Sequence, residues 1–172
     1  MSGLFRWLNA PANWCGLLAA TGVLVLKALG LLGTAAAPAL ANQPKVAVVA
    51  HGLVNPWGLA FLPDGRALIT EKSGKLKLWR EGQSAADVTG VPAVSYLGQG
   101  GLGDVVLHPG FATNGIVYLS WAEAEGDVKG AVVGRAKLVE DNAGARLEGL
   151  TVMWRQSPKV TGNGHFGHRM AF

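Results

Sequence analysis

The chain has 172 residues, a length suited to one domain, and its 49% apolar and 15% charged composition excludes global disorder and a coiled coil. Its 25 glycines follow no period of three, which excludes collagen and favours a turn-rich fold. Net charge is +4, but residues 1–41 hold Arg6, Lys27 and no acid; removing those two from the 15 Lys and Arg leaves 13 against 11 Asp and Glu, which is no electrostatic footprint for nucleic acid.

Residues 1–41 read as a signal peptide. Arg6 precedes the apolar run from Cys15 to Leu26, and Ala39-Leu40-Ala41 forms an A-x-A cleavage signature just after Pro38. Cleavage would start the mature chain near Asn42 and make the protein periplasmic or secreted. The alternative is an uncleaved membrane anchor, the one route by which this chain would contact a membrane. Cys15 is the single cysteine. The remainder therefore lacks disulfides, thiolate zinc sites and cysteine nucleophiles.

From residue 42 the pattern is all-β. Pro56 to Leu62 is a short apolar strand closed by the turn Pro63-Asp64-Gly65, and Ala67 to Glu71 follows as a second strand. After a Ser73-Gly74 turn, Lys75 to Trp79 alternates polar and apolar as a half-buried strand does, and Val88 to Tyr96 is a further β-leaning stretch. The grammar then recurs. Gly103 to Gly110 echoes Gly58 to Gly65, Ile116 to Trp121 replaces residues 67–71, Ala131 to Leu138 is a third strand and Leu150 to Arg155 a fourth. A third opening begins at Arg169 to Phe172, and nothing has helical period. Starts at Trp57, Leu102 and His168 fit four-stranded propeller blades, the second with an insertion. The expectation is a partial β-propeller, about two four-stranded blades and one innermost strand; a small two-sheet β domain is the alternative.

Two loops carry candidate chemistry. In residues 161–172, TGNGHFGHRMAF, His165 lies between Gly164 and Gly167, and an imidazole there suits a general base near neutral pH. A hydrogen bond within the turn is the simpler role for it. His165 and His168 are also spaced for a zinc pair, but no third His or Cys is near, so no metal ligand is assigned. In residues 97–104, LGQGGLGD, no Lys-Ser/Thr follows the glycines, which argues against a phosphate-cradling loop. There Gln99 presents an amide to a ligand, and Asp104 reads as a structural partner within the blade. Each loop precedes an innermost strand, and such loops converge at one end of a propeller axis.

Residues 53–65 (LVNPWGLAFLPDG), 98–111 (GQGGLGDVVLHPGF) and 162–172 (GNGHFGHRMAF), in this order, resemble the glucose/sorbosone dehydrogenase family. The resemblance implies that residues 42–172 are the N-terminal part of a six-bladed propeller domain that holds pyrroloquinoline quinone (PQQ) over its axis, usually with calcium nearby. It implies oxidation of the C1 hydroxyl of an aldose sugar to the lactone, with electrons passed on to an external acceptor. His165 is then the catalytic general base, and Gln99 contacts substrate or cofactor. Gly164 stands where glucose-oxidising members carry Asp, which leans toward the broader aldose branch. The basic groups that grip the quinone and the calcium ligands lie beyond residue 172 in the family, so the chain alone is expected to be inactive. A non-catalytic propeller-like binding module is the alternative function.

Overall fold

A computed structural model describes residues 45–172; the expected leader at residues 1–41 lies outside them. Among the described residues, no helix is long and apolar enough to cross a membrane.

Strands β1 (Pro56–Phe61), β2 (Ala67–Glu71), β3 (Lys75–Trp79) and β4 (Ala86–Thr89) form one antiparallel meander. Strand β5 (Leu102–Leu107), a single helical turn α1 (Phe111–Asn114), and strands β6 (Ile116–Glu125), β7 (Val128–Asp141) and β8 (Gly144–Arg155) form the second; β9 (Val160–Thr161) adds to β7. These are two four-stranded blades. The β1–β2 turn is built as its residues dictate: Gly65 N–H donates to the Leu62 carbonyl at 3.0 Å, and the Asp64 carboxylate accepts from the Arg66 amide at 3.1 Å.

The blades pack face to face. Leu62, Leu68, Leu76 and Val88 from the first meet Leu102, Val105, Leu119, Trp121 and Val132 from the second in one continuous core. Outermost strands β4 and β8 pair in parallel through Val88 with Ala145 and Thr89 with Arg146, so the sheet nearly closes on itself. Arg66 reinforces the contact from outside the core, bonding Asp64 on its own turn and Glu140 on β7.

Strand positions follow the sequence reading in the main, but β8 begins at Gly144 rather than Leu150, β9 is an added strand, and three further differences stand out. The stretch Val88 to Tyr96 is strand only to Thr89; beyond it the chain is a loop running to Gly101. Residues 111–114 form a helical turn rather than a plain loop, because Gly115 in a left-handed conformation (φ 65°) returns its N–H to the Phe111 carbonyl. Residues 169–172 pair with no strand, although Asp104, His108 and Tyr118 of the second blade reach them.

Candidate functional site

The polar loops meet through their backbones. The Gln99 N–H donates to the Asn163 carbonyl at 2.9 Å, joining residues 97–101 to residues 162–168. Gly98 makes this approach possible: its φ is +57°, and a Cβ there would lie 2.5 Å from the Asn163 carbonyl oxygen. Lys72, just after β2, donates from Nζ to the Gly98 carbonyl at 3.0 Å and lies 5.5 Å from the ring centre of Trp57. A lysine and a half-exposed indole thus stand beside Gln99. The sequence reading overlooked both.

Gln99 and His165 are exposed. His165 lines an open cleft of about 380 Å³ together with Phe166, Arg169, Ser120, Trp154 and Gln156. Gln99 does not line this cleft; it meets the His165 loop at Asn163, two residues away. Neither loop carries a carboxylate between residues 97 and 103 or between 161 and 172. Two cations stand near: Lys72, bonded to the Gly98 carbonyl, and Arg169, 3.8 Å from the Asp104 carboxylate.

The segment after His165 is held more firmly. His168 is buried, with its ring 6.1 Å from that of Trp57 in an edge-on arrangement and its φ at +61°. Burial holds its imidazole pKa below the usual value, the charge of Lys72 adds to this, and Asp104 opposes it. Neither ring nitrogen finds a hydrogen-bond partner among the described residues. The Ser120 hydroxyl donates to the His168 carbonyl at 2.7 Å and accepts from the Asp104 N–H at 2.9 Å. The buried Asp104 carboxylate accepts from the Met170 N–H at 3.0 Å. Asp104 therefore reaches beyond its own blade, where the sequence reading confined it.

The first blade has the same device. Thr70 on β2 accepts from the Gly58 N–H at 2.7 Å and donates to the Gly103 carbonyl at 2.5 Å. The pattern equates Gly58 with Asp104, Thr70 with Ser120, and Gly103 with His168. Both innermost strands also carry an irregularity at the matching place, between Pro56 and Leu59 and between Leu102 and Val105. Residue 168 thus stands where a third blade's innermost strand would begin, one position off the sequence-based register between the first two blades. The legible signal was a single aliphatic hydroxyl on the second strand of each blade.

A family model described as Glucose / Sorbosone dehydrogenase matches residues 53–172. The chain belongs to this family. It is 42% identical to aldose sugar dehydrogenase YliI of Escherichia coli K12 over 140 residues, 80% of this chain and 36% of that protein. The fold superposes on a glucose dehydrogenase crystal structure with a TM-score of 0.70 at 43% identity, covering 75% of this chain and 38% of that one. It also matches the PQQ-bound aldose sugar dehydrogenase of Streptomyces coelicolor, with a TM-score of 0.57 at 28% identity over 66% of this chain and 34% of that one. The chain therefore spans little more than a third of these relatives. Like the family's propellers, it is nearly all-β, built here of two four-stranded blades.

PQQ is a planar tricarboxylate, and the two loops with Lys72 offer the Gln99 amide, the Lys72 ammonium and the exposed Arg169 guanidinium, the last 3.8 Å from the Asp104 carboxylate. These groups fit part of such an anion. Among the described residues, no group of three or more His, Cys, Asp or Glu is arranged to hold a metal ion.

Proposed function

We propose that this protein takes part in PQQ-dependent oxidation of an aldose at C1, giving the lactone, in the periplasm or outside the cell. The observation that carries this reading is the Gln99 N–H bond to the Asn163 carbonyl, which draws an amide-bearing loop and a histidine-bearing loop to one end of the fold. The relatives' names and the PQQ-bound neighbour give the chemistry its class.

PQQ, when bound, is the two-electron acceptor for the hydride that leaves C1, and an external acceptor then collects those electrons. His165 takes the C1 hydroxyl proton on an imidazole nitrogen, so that charge does not build up on carbon as hydride departs. Its exposure leaves the imidazole accessible to a sugar hydroxyl. Gln99 orients substrate or cofactor through its amide, and Lys72 and Arg169 complement cofactor carboxylates. Gly164 leaves the residue before the base without a side chain, which fits acceptance of several aldoses. Calcium is an expectation from the family resemblance, which puts its ligands beyond residue 172.

The test is made in a protein of the relatives' full length. His165→Ala should lower turnover by about 10²–10⁴-fold with PQQ still bound, the usual loss for a general base. Gln99→Ala should cost less, because a neutral amide mainly positions its partner. Near-normal turnover in His165→Ala would return His165 to a loop-stabilising role. Loss of PQQ binding would make it architectural, and failure of the parent protein to oxidise any aldose with PQQ would favour a binding module.

A further inference from the structure

The two blades offer an internal comparison. At the junction between them, one hydroxyl does the work: Thr70 links the Gly58 N–H to the Gly103 carbonyl, and Gly58 has no side chain to add. At the next junction Ser120 repeats this between the Asp104 N–H and the His168 carbonyl, but the residue in the place of Gly58 is now an aspartate. Its carboxylate adds a bond that the first junction lacks, from the Met170 N–H at 3.0 Å, while its other oxygen accepts from the Val105 N–H at 3.0 Å. The extra bond falls on the segment that carries His165.

A buried carboxylate is costly, and its place at a junction where glycine suffices elsewhere calls for a reason. The reason lies in the mechanics of the loop. Residues 164–167 hang between two anchors: the Gln99 N–H to the Asn163 carbonyl on one side, and the Ser120 and Asp104 bonds to His168 and Met170 on the other. The first anchor is one neutral bond on an exposed loop. The second is buried and includes a charge-assisted bond, so it sets where the His165 loop ends in space. Arg169 lies 3.8 Å from the same carboxylate but is largely exposed, leaving the backbone N–H as the better-placed partner.

We infer that Asp104 is a positioning residue for His165, acting through Met170 to hold the imidazole within reach of the reacting hydroxyl. The inference rests on the base role proposed for His165, and the experiment separates the two. Asp104→Asn keeps the shape and leaves one carbonyl oxygen for two N–H donors.

In the unmodified protein, the Met170 amide should exchange slowly with solvent. In Asp104→Asn it should exchange faster, and the His165 imidazole NMR resonances should move. In the full-length PQQ-loaded protein the same variant should lower kcat, measured at saturating PQQ, by about 10²-fold, the scale of a 1 Å misplacement, with the KM for sugar held. Rapid exchange at Met170 in the unmodified protein overturns the inference even if the variant does not fold. So does a variant that melts earlier yet keeps His165 resonances and kcat, since that is a purely structural role. Shifted His165 resonances with His165→Ala still fully active would uphold the positioning and discard the base role.

Discussion

His168 and Gly103 fit one another at the cost of two local irregularities. A Cβ on Gly103 would sit 2.3 Å from His168 Cγ, so the imidazole occupies the space that any side chain at 103 would need. Gly103→Ala should therefore destabilise the fold by about 1–3 kcal/mol, the range for overpacking, measured by urea unfolding. The imidazole also titrates against burial. Its folded pKa is lowered from 6.5, so between that value and the folded one the unfolded chain binds the proton more readily. Its contribution to stability is then complete above about pH 6.5 and is lost as pH falls toward the folded pKa. His168→Phe should flatten the decline in thermal midpoint just below pH 6.5, leaving the lower-pH loss that belongs to carboxylates such as Asp87 and Glu123, whose pKa values are lowered by bonds to Lys77 and Lys159. An unchanged pH profile would contradict the buried neutral state.

Elements are stitched across blades by hydroxyls. Thr70 satisfies a buried N–H and a buried carbonyl at once, and isosteric Thr70→Val leaves both without a partner. The expected cost is about 1–3 kcal/mol in chemical unfolding; a cost near zero would mean that water replaces the hydroxyl. Most strands were legible because alternation and turn chemistry are local: Lys75 to Trp79 and the Pro63-Asp64-Gly65 turn stand where their patterns place them. Residues 90–96 were not, since Val91, Val94 and Tyr96 have strand-like side chains but the segment forms no ladder, its bond to a strand being that from the Ser95 N–H to the Ala122 carbonyl on β6, and β propensity expresses such a setting more than an intrinsic backbone choice. The same holds at 169–172. There Met170, Ala171 and Phe172 are apolar, but side chains rather than a neighbouring strand meet them: Asp104 at the Met170 N–H, and the rings of His108 and Tyr118 at Phe172.

At the scale of the molecule, the inner faces of the two blades are covered while the far side of the first innermost strand is open. Along β1, Gly58 faces inward, whereas Trp57, Leu59 and Phe61 are 50%, 49% and 64% exposed. Three large apolar side chains in a row on an edge strand are a site for association. Residues 42–172 should accordingly bind a hydrophobic dye strongly, and Leu59→Lys with Phe61→Lys should reduce that signal without lowering stability. A dye response that ignores both substitutions would place the exposed patch elsewhere.

By itself, the sequence determined the β class, the four-strand repeat, the family and the two loops that bear Gln99 and His165, because each is written in spacing, turn residues and side-chain type over a few positions. The tertiary structure alone decided which backbone groups meet. Gln99 reaches Asn163, Thr70 ties the two innermost strands, Ser120 ties β5 to His168, and Asp104 crosses to Met170 over a separation of 66 residues. Such partners leave no local trace. A buried N–H is obliged to find an acceptor, but which acceptor it finds depends on how the blades pack.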